Sequence, residues 1–129
     1  MADIVLPGDG DAKLLTGLEE PDAIVDFYLG LGAKVVALTL GHEGSLVATP
    51  ERRQRFVPIK VEAIDATGAG DCYDGAFLAE YIRTGDAFVA GAYANVAAAL
   101  STQGYGAVAP LPRRAEVEAR IAAEAALKA

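Results

Sequence analysis

The sequence predicts an α/β layered fold, and three observations carry that reading. Short apolar, β-rich runs are interleaved with segments of helical periodicity. Gly or Pro stands at nearly every junction between them. Hydrophobic residues make up 53% of the 129-residue chain, enough to bury a core at this length and too many for a disordered polymer.

The elements follow in order. Residues 3–6 (DIVL) form an apolar run ended by Pro7 and Gly8 and read as a buried strand. Residues 9–15 make one or two helical turns closed by Gly17. Pro21 opens a second helix, with Asp22 in its first turn and Ile24, Val25, Phe27, Tyr28 and Leu31 at helical spacing before Gly32. Residues 34–40 (KVVALTL) are nearly all apolar, as in a strand covered on both faces. The tight turn Gly41-His42-Glu43-Gly44 leads into a hairpin, residues 45–49 and 52–57. A glycine-rich stretch, 65–71, precedes a helix over 72–83 that Gly85 stops. Asp86 caps an alanine-rich helix running to about Gln103. After the loop Gly104-Tyr105-Gly106, residues 113–128 form an amphipathic helix with Val117 and Ile121 one turn apart. No internal repeat and no linker interrupts the order, so a single domain unit over 1–129 is expected.

Composition narrows the function. The net charge is −7, from 18 acidic against 11 basic residues. That balance argues against nucleic-acid binding, which needs a basic footprint. One cysteine, Cys72, and one histidine, His42, leave no internal disulfide and no zinc site. Residues 87–112 carry no charge, long enough to raise a membrane span. They are mostly Ala and Gly, with Asn95, Ser101, Thr102 and Gln103 inside and Pro110 and Pro112 at the end, which fits a buried helix followed by a loop better. Asp3, rather than a basic stretch and long apolar run, follows Met1, so the reading expects a cytoplasmic protein.

The chemistry concentrates in Gly68-Ala69-Gly70-Asp71 at a helix start. Small residues let backbone N–H groups approach a ligand closely. The first helical turn adds four unpaired N–H groups and a partial positive charge. Together these make an anion site. A carboxylate there would compete with a resting anion, but it suits a phosphoryl group in flight, beside which Asp71 takes the proton of the attacking hydroxyl. The plainer alternative is that Asp71 caps a helix whose tight entry needs glycine.

The extended run Asp65-Ala66-Thr67-Gly68-Ala69-Gly70-Asp71-Cys72-Tyr73-Asp74-Gly75-Ala76-Phe77 resembles the second signature of the PfkB/ribokinase family of carbohydrate kinases. Thr39-Leu40-Gly41-His42-Glu43-Gly44 resembles that family's nucleotide-binding turn, and Asn95 its position near the adenine. Residues 99–110 (ALSTQGYGAVAP) look most like the 2-keto-3-deoxygluconate kinases within it. The resemblance implies a ribokinase-like three-layer αβα (Rossmann-like) fold, of which the chain resembles the C-terminal portion. It implies Asp71 as the base and an anion hole of Gly68, Ala69 and Gly70 with the Asp71 N–H. It implies a nucleotide site bordered by Thr39, Gly41, Gly44, Gly70 and Asn95. Asp65, Thr67, Ser101, Gly104 and Gly106 match where many members hold a monovalent cation such as K⁺.

The chain departs from the family in two places. Ala66 stands where Thr is common. The family's N-x-x-E motif, which organises Mg²⁺ through water, appears as Gly8-Asp9-Gly10-Asp11. Asp11 keeps a carboxylate for that contact, or else merely opens a helix. Other motifs fail. No G-x-x-x-x-G-K-[ST] is present, and Gly104-Tyr105-Gly106-Ala107-Val108-Ala109 lacks the strand-to-helix context of a dinucleotide fingerprint. Cys72 reads as packed and inert, and Arg52-Arg53-Gln54-Arg55 as a solvated hairpin face.

The expected activity is ATP- and Mg²⁺-dependent phosphorylation of a sugar or sugar acid, foremost 2-keto-3-deoxygluconate to its 6-phosphate, with a fructokinase- or ribokinase-type sugar as the alternative. Family members are about twice a usual domain in length. The sugar-binding lid and N-terminal strands therefore lie outside this sequence. The 129 residues alone are expected to be inactive without that part or a second copy, or to be a non-catalytic nucleotide-binding module.

Overall fold

A computed structural model describes residues 3–59, 69–102 and 114–128. The chain divides into two compact units, 1–58 and 59–129.

The first unit carries a four-stranded sheet in the order β1-β2-β3-β4. Strand β1 (Ile4–Val5) pairs in parallel with β2 (Val35–Thr39). Such a connection needs a crossover, and two helices supply it: α1 (Asp9–Thr16) and α2 (Pro21–Gly30). Gly17 ends α1 in the left-handed conformation, its N–H returning to the Lys13 carbonyl. Antiparallel β3 (Ser45–Ala48) and β4 (Arg53–Phe56) complete the sheet. Val36, Leu38, Leu46 and Ala48 bury one sheet face in a cluster with Ala12, Ile24 and Val25. Val35, Ala37 and Val47 alternate with them and are buried too, so β2 is covered on both faces as expected.

Three readings are corrected here. Ile4 and Val5 are half-buried rather than buried, because β1 is an edge strand with one neighbour among the described residues. Phe27 and Leu31 are exposed. Leu29, one turn on from buried Val25, packs on the core instead. The arginine run of the hairpin is more than a solvated face. Arg53 on β4 donates to Asp22 at 2.8 Å and Asp26 at 2.6 Å, one turn apart on α2, and so ties sheet edge to helix.

The second unit holds α3 (Ala69–Thr84), α4 (Ala87–Ser101) and α5 (Arg114–Lys128). α3 begins three residues before the expected Cys72, since Ala69 and Gly70 already form its first turn. Asp86 caps α4, accepting from the N–H groups of Phe88 at 2.9 Å and Val89 at 3.2 Å. Ala87, Ala90, Gly91, Ala94, Ala97 and Ser101 form the buried stripe of α4, and α3 and α4 pack together. Val117 of α5 is buried with Val96 and Ala97, and Ile121 packs on them. No helix among the described residues is long and apolar enough to cross a membrane.

Candidate functional site

In the first unit one end of the sheet gathers the predicted residues. Gly8, just past β1, bridges in parallel to Thr39 at the end of β2. Thr39 pairs with Ser45, which opens β3, and Ser45 pairs with Phe56, which ends β4. Three chain segments therefore leave from this rung: the start of α1, the turn 40–44, and the exit of β4. In parallel sheets ligands bind outside the carboxyl ends of strands, and β1 and β2 both end here.

The start of α1 is open. Its cap, Gly8, offers no side-chain hydrogen bond, and exposed Asp11 lies in the first turn. The Thr39 hydroxyl donates to the Pro7 carbonyl at 3.5 Å, which ties the turn's entry to the α1 loop. Gly41–Glu43 form one 3₁₀ turn. The Leu40 N–H donates to the Gly44 carbonyl at 2.9 Å and closes it. Gly41 sits at φ 60° with open space where a side chain would project, so its backbone is accessible to a ligand. Arg55 on β4 reaches Glu43 in this turn at 3.8 Å.

In the second unit Ala69, Gly70 and Asp71 form the first turn of the 16-residue α3. Nothing lies within 4 Å of a Cβ placed on Gly70, and Asp71 is exposed. The first turn of α3 thus carries an exposed carboxylate at the end of the helix where N–H groups and the positive end of the dipole lie. Asn95 is a half-buried residue of α4. Ser101 is buried at the end of α4, its hydroxyl donating to the Ala98 carbonyl at 2.7 Å. Asp65, Thr67, Gly68, Gly104 and Gly106 lie outside the described residues.

Cys72 is half-buried, and its thiol donates to the Ala97 carbonyl at 3.6 Å. Burial raises its pKa and outweighs the opposing influence of the neighbouring Ser101 hydroxyl, as expected of an unreactive thiol. One functional candidate escaped the sequence reading. Asp74 is half-buried, and burial together with the charge of Asp71 pushes its carboxyl up to about 6. The spacing of three residues was the available signal, since it places both carboxylates on one helix face.

The sequence pattern of the pfkB family of carbohydrate kinases matches residues 1–114. The chain belongs to this family. It is 34% identical over 123 residues to a ribokinase of Staphylococcus aureus (strain COL), a match covering 91% of this chain and 40% of that one. It is 30% identical over 134 residues to 2-dehydro-3-deoxygluconokinase of Bacillus subtilis (strain 168), covering 96% and 39%. Among solved structures, a double-mutant fructokinase from Vibrio cholerae O395, in its fructose-, ADP- and potassium-bound form, matches with a TM-score of 0.81 at 31% identity, over 91% of this chain and 40% of that one. The ribokinase-like α/β fold is thereby shown. The chain spans about 40% of the length of these pfkB-family relatives.

Proposed function

We propose that the whole protein phosphorylates a hydroxyl of a sugar or sugar acid with ATP, and that Asp71 is the base. The observation that carries this is the first turn of α3, where nothing described crowds the position of a Gly70 side chain and Asp71 stands exposed beside it. Asp71 accepts the hydroxyl proton as the substrate oxygen bonds to the γ-phosphorus and the bond from that phosphorus to the ADP oxygen breaks. The N–H groups of Ala69, Gly70 and Asp71, with Gly68, orient the phosphoryl oxygens and offset their charge. Thr39, Gly41, Gly44 and Asn95 border the nucleotide in this reading.

A metal would be held lightly. Among the described residues no three His, Cys, Asp or Glu side chains gather into a metal cluster. Asp11 offers one exposed carboxylate at the start of α1, which suits Mg²⁺ bound mainly by ATP phosphates and water. When bound, Mg²⁺ supplies charge neutralisation at the phosphates. A monovalent-cation site at Ser101, with Asp65, Thr67, Gly104 and Gly106, rests on the family resemblance and on the potassium-bound fructokinase.

The substrate reading is 2-keto-3-deoxygluconate, supported by the run at 99–110 and the Bacillus subtilis relative. A ribokinase- or fructokinase-type sugar is supported equally by the other two relatives. Coupled ADP-release assays with the ketodeoxygluconate, ribose and fructose separate them. Asp71→Asn in the whole protein is expected to lower kcat by at least 100-fold, in line with loss of a general base, while ATP still binds by calorimetry. Near-normal turnover overturns the assignment.

A second reading follows from the 40% coverage: the 129 residues alone bind nucleotide without turnover. Sugar-dependent ADP release by this chain alone would rule that out.

A further inference from the structure

Gly41 and Gly44 flank the same turn but meet different surroundings. Gly41 faces open space. Gly44 has φ 96° and ψ −136°, which L side chains rarely adopt. A Cβ there would run into the Phe56 carbonyl oxygen and come within 3.1 Å of the Pro58 nitrogen and the Val57 carbonyl carbon. Gly44 is therefore packed against backbone at the exit of β4. The Phe56 carbonyl oxygen at the end of the ladder and the Pro58 nitrogen just beyond it are backbone atoms and cannot swing aside as a flexible side chain would.

We propose that Gly44 is a positioning residue: it seats the turn 40–44 on the Phe56–Pro58 backbone and so fixes where Gly41 presents its N–H to the nucleotide. Two fastenings act together. The Leu40-to-Gly44 hydrogen bond at 2.9 Å closes the turn on itself, and the Gly44 seat locks the closed turn to the next strand. The sequence of contacts runs from Thr39 through Ser45 to Phe56, so a displaced Gly44 moves the turn relative to the sheet end that also holds Gly8. This rests on the nucleotide reading of the turn given above.

The test uses the whole protein and three variants. Gly17 also has a left-handed φ, 73°, with nothing near its would-be Cβ, so Gly17→Ala carries backbone strain without the packing clash. Pro58→Gly leaves Gly44 intact and loosens the seat. Amide hydrogen exchange reads the seat itself. Gly44→Ala is expected to speed exchange of Gly41–Glu43 and Val57 together at least tenfold, and Gly17→Ala to leave both segments unchanged. Kinetics read the consequence. Gly44→Ala is expected to raise the ATP KM at least tenfold with the sugar KM within twofold, and Pro58→Gly to raise it severalfold. If Gly44→Ala does not fold, the Pro58→Gly measurements decide. Unchanged exchange at Gly41–Glu43 in a folded Gly44→Ala, or an unchanged ATP KM in both seat variants, overturns the proposal. Coupled exchange without any ATP binding by the parent protein would uphold the seat and overturn the nucleotide reading instead.

Discussion

Arg114 on α5 and Glu80 on α3, 34 residues apart in sequence, meet at 2.6 Å. Glu80 is almost fully buried and also accepts two hydrogen bonds from Arg83 at 2.8 Å. Arg114 reaches Glu118 at 3.2 Å and lies 4.8 Å above the centre of the Tyr93 ring on α4. One guanidinium thus touches all three helices of the second unit. The hydrogen bonds from Arg83 and Arg114 hold the Glu80 carboxyl down to about 2.

Arg114→Ala is expected to destabilise the whole protein in urea unfolding, because it takes one hydrogen-bond donor from the buried Glu80 carboxylate. Arg114→Lys should recover only part, because an ammonium cannot serve two carboxylates and an aromatic face in one planar fork. The pH dependence follows from the lowered pKa. The Glu80 contribution is complete above its ordinary value of 4.5 and is lost as pH falls towards about 2. An Arg114→Ala protein whose acid unfolding midpoint matched the parent's would contradict this.

Asp74 behaves in the opposite sense. Its folded pKa, about 6, lies above the ordinary 3.8. The folded state then binds more protons between those values, so this group's stabilising share is full below the ordinary value and is lost as pH rises through about 6. Asp74→Asn should remove that slope and leave the protein more stable at pH 8 than the parent. Carboxyl ¹³C titration of the parent should show one aspartate moving near pH 6. A midpoint near 4 would refute the burial argument.

Asp86 gives the simplest stability measurement. Its carboxylate accepts two N–H bonds at the start of α4. Asp86→Ala should cost about 1 kcal/mol and Asp86→Asn much less, since asparagine caps nearly as well. Equal losses from both variants would point to charge rather than capping.

The kind and order of elements were legible because burial writes its period into the sequence. The near-continuous apolar run at 35–38 became the sheet's buried strand, and the alanine stripe of α4 became its buried face. The caps at Pro21 and Asp86 were legible because they act within one turn. Contacts between distant segments were not. Nothing near Arg53 marks Asp22 and Asp26 as its partners, and nothing near Glu80 marks Arg114, because pairing across 27 to 34 positions depends on how elements pack. The candidate site was legible as motif but not as roles. Gly41 and Gly44 read alike in the turn, yet one faces open space and the other faces backbone.

The joint between α3 and α4 is short. Thr84 returns its hydroxyl to the Glu80 carbonyl at 2.8 Å, Gly85 turns at φ 70°, and Asp86 starts the next helix. The helices have 16 and 15 residues, and the Cys72 thiol meets the Ala97 carbonyl near their far end. Matched lengths make the pair a ruler. Deleting one residue between Cys72 and Thr84 would turn Ala69, Gly70 and Asp71 together by ~100° relative to α4 and draw them ~1.5 Å along the axis. Relatives that share this helix pair should therefore accept insertions at Gly85 and refuse them inside α3.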